Sequence, residues 1–230
     1  MATIAALLER TINPSVHQLF QLRLFSQTSE LLPLATEVQI LKEYETYTSI
    51  YPICVASALS AIPSEAARLP LVKNLWEEHG EGNPLRGHRY LMHCWVQSVS
   101  AMLDIQQTTQ RPLVHSTPEA CNLLMSASEE SGLFRFGLIL GLESTNIKQL
   151  EGLLTHLPAS SRPEADRRYV DLHLEADEGH VEELLEAVPY LVKTDADLEQ
   201  VLKGAHQSVQ ADIVFWTGID ALAMGSPARP

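Results

Sequence analysis

Apolar residues along this chain recur at steps of three and four, and no stretch sustains a step of two, so the pattern predicts helices throughout. The periodic segments are roughly 14–31, 36–61, 64–79, 84–104, 117–127, 131–156, 163–193 and 195–223. Helix-breaking residues fall between them: Pro33, Pro63, the run Gly80-Glu81-Gly82-Asn83-Pro84, Pro112, Pro118 and Pro158. Thr117 ahead of Pro118 reads as a helix cap, and Asp195 can cap the last helix. No repeat, low-complexity tract or long linker divides the chain. The expectation is therefore an all-α fold, one bundle of about seven helices over residues 1–230, with a frayed tail at 225–230.

One helix departs from the rule that its inner stripe is apolar. Between Tyr169 and Leu191 the heptad core positions are Val170, His173, Asp177, His180, Leu184 and Ala187, which steps of three and four keep on one side. The stripe is apolar at both ends and His-Asp-His in the middle. An acidic helix can turn such a triplet to water, but that rotation would expose Val170 and Leu184 too. Buried without partners, the triplet costs on the order of several kcal/mol. A metal ion removes that cost, because neutral imidazole and carboxylate are natural ligands.

One helix cannot close a coordination sphere, so facing helices must contribute. Glu143 falls within the stripe Phe136, Leu140, Ile147 and Leu150, although a lone Glu there can also mark the stripe's edge. His88 falls within Leu85, Met92, Trp95 and Val99, where a hydrogen-bonded core histidine is the plainer reading. Glu78 follows Leu71 and Leu75 on the preceding helix, with Glu77 and Glu81 as neighbouring alternatives. Gly80, Gly82 and Pro84 break the continuous helix that would set Glu81 two turns from His88, which favours Glu78. Taken together, Glu78, Glu143 and Asp177 with His88, His173 and His180 suit iron or manganese better than zinc. Six ligands fit two adjacent ions better than one. The carboxylate-bridged bundle with two Glu-x-x-His motifs is a different arrangement, since no Glu-x-x-His occurs in this chain.

Composition narrows the partners. The chain has 230 residues, with 29 Asp and Glu against 16 Lys and Arg, a formal charge of -13. Nucleic acids and anionic membranes need clustered cations, and none exists here. Cys54, Cys94 and Cys121 form no CxxC pair, which points to a reducing compartment. Glu9 and Arg10 come too early for a signal peptide, so a cytoplasmic protein is expected.

The string from Asn74 to Gly82 followed by His88, then Gly141-Leu142-Glu143-Ser144-Thr145, then His173-x3-Asp177-x2-His180, resembles the haem-oxygenase-like diiron oxidases. The motifs occur in the family's order. The resemblance implies the haem-oxygenase-like bundle, two irons that react with O2, and a small-molecule substrate, commonly derived from an amino acid. Oxidative cleavage, desaturation, nitrile formation and N-oxygenation are the outcomes it implies, in a biosynthetic setting. Homodimers are common in the family. One iron is expected to take Glu78 and His88, the other His173 and Asp177, with His180 and Glu143 completing the site. The additional carboxylate of N-oxygenating members has no counterpart around Tyr47 to Pro52, since Glu43 and Glu45 lie toward the start of that helix. Fatty-acid-type oxidative decarboxylation and a non-redox helical bundle are the alternatives. Arg135 and Lys148 flank Glu143 as candidates for a substrate carboxylate, and Phe215 and Trp216 as candidates for the pocket wall. His17 lies on an early helix, where haem oxygenase places its proximal histidine, but three polar motifs in the core leave little room for haem.

Overall fold

The computed structural model describes residues 4–26, 31–103 and 113–225, excluding the side chains of residues 4, 5 and 175–178. The expected fraying at 226–230 and the side chain of Asp177 lie outside the described residues. Ten α-helices and no strand occur among them, more helices than the seven or eight periodic segments. They are α1 (Ile4–Phe20), α2 (Arg23–Ser26), α3 (Leu34–Thr48), α4 (Tyr51–Ala61), α5 (Glu65–Glu78), α6 (His88–Ser100), α7 (Ser116–Ser126), α8 (Gly132–Leu154), α9 (Arg168–Leu191) and α10 (Asp195–Ala223).

Three differences from the periodicity have local causes. α1 begins ten residues before the expected start and runs through Pro14. Leu8, Ile12 and Leu19 are buried at helical spacing while Pro14 faces solvent, so water can satisfy the carbonyl that the ring leaves unbonded. The expected segment 36–61 splits into α3 and α4, because Pro52 has no N–H and its ring would crowd the Thr48 carbonyl of a continuous helix. α6 begins only at His88, so Leu85, expected on the inner seam, is 58% exposed.

Two caps also differ from expectation. Thr194, not Asp195, caps α10 in a reciprocal capping box with Asp197. Thr117 lies inside α7, where its hydroxyl donates to Glu43 Oε2 at 2.6 Å.

The long helix α10 packs against α8, α7, α1 and α3, while α5 packs against both α4 and α9, and α6 against both α3 and α9. α8 and α10 approach so closely that a Cβ at Gly137 would lie 1.9 Å from the Val201 carbonyl oxygen, and one at Gly204 would lie 1.9 Å from that of Phe134. Trp95, Phe136, Phe215 and Trp216 are fully buried. Each aromatic ring removed from water contributes roughly 1.5–3 kcal/mol.

Buried acids on α3 fix irregular segments. Glu37 accepts the N–H groups of Ala159 (2.9 Å) and Ser160 (2.7 Å) and the Ser160 hydroxyl (2.6 Å). Glu43 accepts the Val114 N–H at 3.0 Å and the Thr117 hydroxyl. Glu43 is thus a structural anchor. No described helix is long and apolar enough to cross a membrane.

Candidate metal centre

Glu78 closes α5, and His79 is its C-terminal cap. Beyond it the chain turns through Gly80 (φ 67°), Glu81 (φ 55°) and Gly82 (φ 85°), three consecutive left-handed residues. A Cβ at Gly80 would meet the Gly87 nitrogen at 2.4 Å, so only glycine lets the loop close this tightly. The loop brings the first residue of α6 back beside the last of α5, and His88 Nδ1 lies 2.7 Å from Glu78 Oε1. Glu81 points elsewhere, to Arg86 at 3.1 Å on the surface.

His173 enters from α9. A ligand atom from each of Glu78, His88 and His173 lies within 4.8 Å of the others, and the His88 and His173 rings meet edge to face at 4.7 Å. The described side chains thus bring His173 together with Glu78 and His88. His173 Nδ1 lies 2.8 Å from the Tyr169 carbonyl oxygen. A carbonyl only accepts, so Nδ1 carries the proton and Nε2 keeps its lone pair for the cluster. Burial, reinforced by His88, pushes the His173 pKa down to about 4, so the ring is neutral.

Glu143 and His180 stand alongside, with His180 Nδ1 3.7 Å from Glu143 Oε1. Glu143 also accepts from Asn74 Nδ2 at 2.6 Å and from the Tyr51 hydroxyl. Glu77 is the partner of His180 on its other nitrogen, at 2.6 Å. Burial alone would lower the His180 pKa, but Glu143 and Glu77 outweigh it and raise it to about 9. Glu143 is held below the usual carboxylate range: burial works the other way, and His180, Tyr51 and Asn74 overcome it.

These groups line one side of a cleft of about 850 Å³, part of it open to solvent. The cleft is lined further by Tyr44, Tyr47, Asn146, Gln149 and Asp212, from α3, α8 and α10. Periodicity applied to α10 and α3 could have exposed this wall. Asp212 interrupts an apolar stripe just as Glu143 does, and Asn146 and Gln149 continue the Glu143 face at steps of three. Phe215 and Trp216 do not line the cleft. They lie behind it, with Phe215 stacked on Tyr47 at 4.3 Å and Trp216 donating to Gln149 Oε1 at 2.6 Å. Arg135 binds Ser57 and the Glu130 carbonyl instead, and Lys148 is exposed. His17 is exposed, away from the cluster. The cation on the cleft wall among the described Lys and Arg residues is Arg89.

The donor set passes a direct test of fit to iron. Two carboxylates and three imidazoles from four helices converge on one side of the cleft, and the Asn74 Oδ1 atom beside them is buried with no hydrogen-bond partner among the described residues. A cation among these donors offsets buried negative charge that would otherwise be costly. Fold and donors together define a helical metalloprotein with a carboxylate and imidazole site. A sequence profile described as iron-containing redox enzyme matches residues 39–213, and the chain belongs to that family.

Among solved structures, a CADD-like protein of unknown function from Nostoc punctiforme PCC 73102 is similar over 99% of this chain and 97% of its own, with TM-score 0.72 and 14% identity. A TenA homolog from Pseudomonas syringae pv. tomato str. DC3000 aligns over 94% and 92%, with TM-score 0.72 and 13% identity. A domain of unknown function with a heme oxygenase-like fold from Shewanella denitrificans OS217 aligns over 99% and 94%, with TM-score 0.57 and 16% identity. At these identities the likeness shows the haem-oxygenase-like fold. A search of curated protein sequences finds no match.

Proposed function

We propose that this iron-containing redox enzyme uses two ferrous ions, held by Glu78, His88, Glu143, His173, Asp177 and His180, to activate O2 and oxidise a small organic molecule. An amino acid or amino-acid derivative is the proposed substrate. The observation that carries the reading is the convergence of Glu78, His88 and His173 within 4.8 Å, next to Glu143 and His180, on the wall of one cleft. Bound ferrous iron supplies the electrons for O2 reduction.

The chain's own groups orient and shield that chemistry. Asn74 and Tyr51 fix the Glu143 carboxylate through hydrogen bonds, and the Tyr169 carbonyl fixes the tautomer of His173. Tyr44, Tyr47 and Tyr169 supply aromatic walls that limit water.

The test is anaerobic reconstitution with ferrous iron, metal analysis, and O2 uptake in the presence of an amino-acid panel. Two irons per chain and substrate-dependent O2 uptake are expected, with iron lost in His173→Ala and Glu143→Ala. Unchanged iron in both variants would refute the ligand assignment. Full iron loading without O2 uptake across the panel would favour a non-redox metal-binding bundle.

A further inference from the structure

We propose that the part of the cleft lined by Tyr47, Gln149 and Asp212 is a binding subsite for a nitrogen cation of the substrate, with Asp212 as its counter-charge. The proposal rests on the reading of the cleft as a substrate site and names the chemistry of what it accepts.

Asp212 sits on α10 and is 2% exposed, yet it lines the cleft. Its Oδ1 accepts from the Tyr47 hydroxyl at 2.8 Å, and its Oδ2 accepts from Gln149 at 2.7 Å and Thr145 at 3.1 Å. All three partners are neutral. No Lys or Arg pairs with Asp212 among the described residues, whereas buried carboxylates ordinarily meet a cation or a set of backbone N–H groups. Glu37 shows the second solution in this same molecule, with two backbone N–H groups and a hydroxyl around it, while Glu43 combines one backbone N–H with the Thr117 hydroxyl and the Gln39 amide. Asp212 has neither. A carboxylate offers about four acceptor positions, and three are filled here.

The surroundings select the sign of the ligand. Glu45, Glu78, Glu143 and Asp212 line the cleft against the exposed guanidinium of Arg89 and the imidazole of His180, which Glu143 and Glu77 already hold. Glu78 and Glu143 belong to the metal side, and Glu45 is engaged by His93 Nδ1 at 2.8 Å. Asp212 is therefore the acid left for an incoming cation. Tyr44 and Tyr47 add aromatic faces of the kind that attract one. Tyr47 is held rigidly, stacked at 7° on Phe215, so the wall is formed before a ligand arrives. Burial raises the Asp212 pKa to about 6, only partly offset by its three hydrogen bonds, which fits a carboxylate short of positive charge.

The same three bonds also tie α3, α8 and α10 together, so the test must separate recognition from scaffolding. Phenethylamine and hexylamine would be titrated into the full chain against phenethyl and hexyl alcohol by calorimetry or NMR at about pH 8, where amine and carboxylate are both charged. Measurements as purified and after chelation make the outcome independent of iron, so failure here is distinguishable from failure of the diiron reading. Each amine should bind about tenfold to a hundredfold more tightly than its alcohol. Asp212→Asn should erase that ratio, and Glu45→Gln should keep it. Equal affinities for amine and alcohol in the unmodified chain would overturn the proposal even if Asp212→Asn fails to fold. A ratio that survives Asp212→Asn, or that vanishes in Glu45→Gln alone, would overturn it as well.

Discussion

Replacing a single glycine with alanine should move this protein's stability in opposite directions at two positions. At Gly137 the new Cβ meets the Val201 carbonyl oxygen at 1.9 Å and its carbonyl carbon at 2.7 Å, both backbone atoms of α10. Ordinary contact begins near 3.4 Å, so α8 and α10 must part by about 1.5 Å along a helix pair whose other glycine, Gly204, faces the same constraint. Overpacking costs typically about 1–3 kcal/mol, and with backbone as the obstacle the upper end applies. Helix propensity returns up to about 1 kcal/mol in favour of alanine, leaving a net loss of roughly 2 kcal/mol. At Gly179 in α9 nothing lies within 4 Å of the added methyl. Only the propensity gain remains there. For a chain of this size 1 kcal/mol moves Tm by about 2–4 °C. Calorimetry should therefore find Gly137→Ala lower by roughly 4–8 °C and Gly179→Ala higher by up to about 4 °C. If Gly137→Ala melts at or above the parent temperature, the close approach of α8 and α10 is not what the structure describes. Gly141→Ala extends the experiment to function, because its Cβ meets Ser208 Oγ at 2.1 Å and Ala205 O at 2.7 Å only two residues before Glu143. It should lower iron content under conditions where the fold persists.

Four further outcomes are expected. Glu78→Ala should lose iron by metal analysis while Glu81→Ala retains it, since Glu81 faces Arg86 on the surface. Asp212, raised by burial from 3.8 to about 6, stabilises the fold below its unfolded pKa and loses that contribution as pH climbs through about 6. The stability of Asp212→Asn relative to the parent should therefore grow by roughly 2 kcal/mol between about pH 4 and pH 7. Parallel melting profiles across that window would contradict the buried carboxylate. Glu37→Gln turns an acceptor into a donor against the N–H groups of Ala159 and Ser160, and urea titration should register a loss of about 2–4 kcal/mol. Thr194→Ala removes one arm of the capping box and should cost about 1 kcal/mol by the same titration.

Phase made His173, His180 and Glu143 legible, because an ionisable residue on a helical stripe leaves the same trace whatever it faces. Those three, with Val170, Leu184 and Ala187, are buried as that phase requires. The break after Glu78 was legible too, through Gly80, Gly82 and Pro84. Its consequence was not: periodicity stops at a loop, so nothing in the spacing showed that three left-handed residues would set His88 against Glu78 or leave Leu85 outside. Glu77 entered only as an alternative to Glu78, and its pairing with His180 stayed hidden for a related reason. It lies off the inner stripe of α5, and its contact with His180 on α9 is a tertiary fact that no single helix encodes. The Asp212 wall was overlooked although its trace was present, since Tyr44, Tyr47 and Tyr51 repeat at steps of three and four as core aromatics also do. The early start of α1 shows burial of Leu8 and Ile12 prevailing over the local cost of Pro14.

The cleft divides its two duties between different helices. α5, α6 and α9 hold Glu78, His88, His173 and His180, α3 and α10 hold Tyr44, Tyr47 and Asp212, and α8 carries both Glu143 and Gln149. On the proposed function, side chains on α3 and α10 would be the ones to exchange for a different substrate, while the donors on α5, α6 and α9 keep their places. α8 is the shared hinge of that arrangement, and its glycine contacts pin it against α10. A descendant of this chain can change its diet by editing two helices, provided it leaves the third where it is.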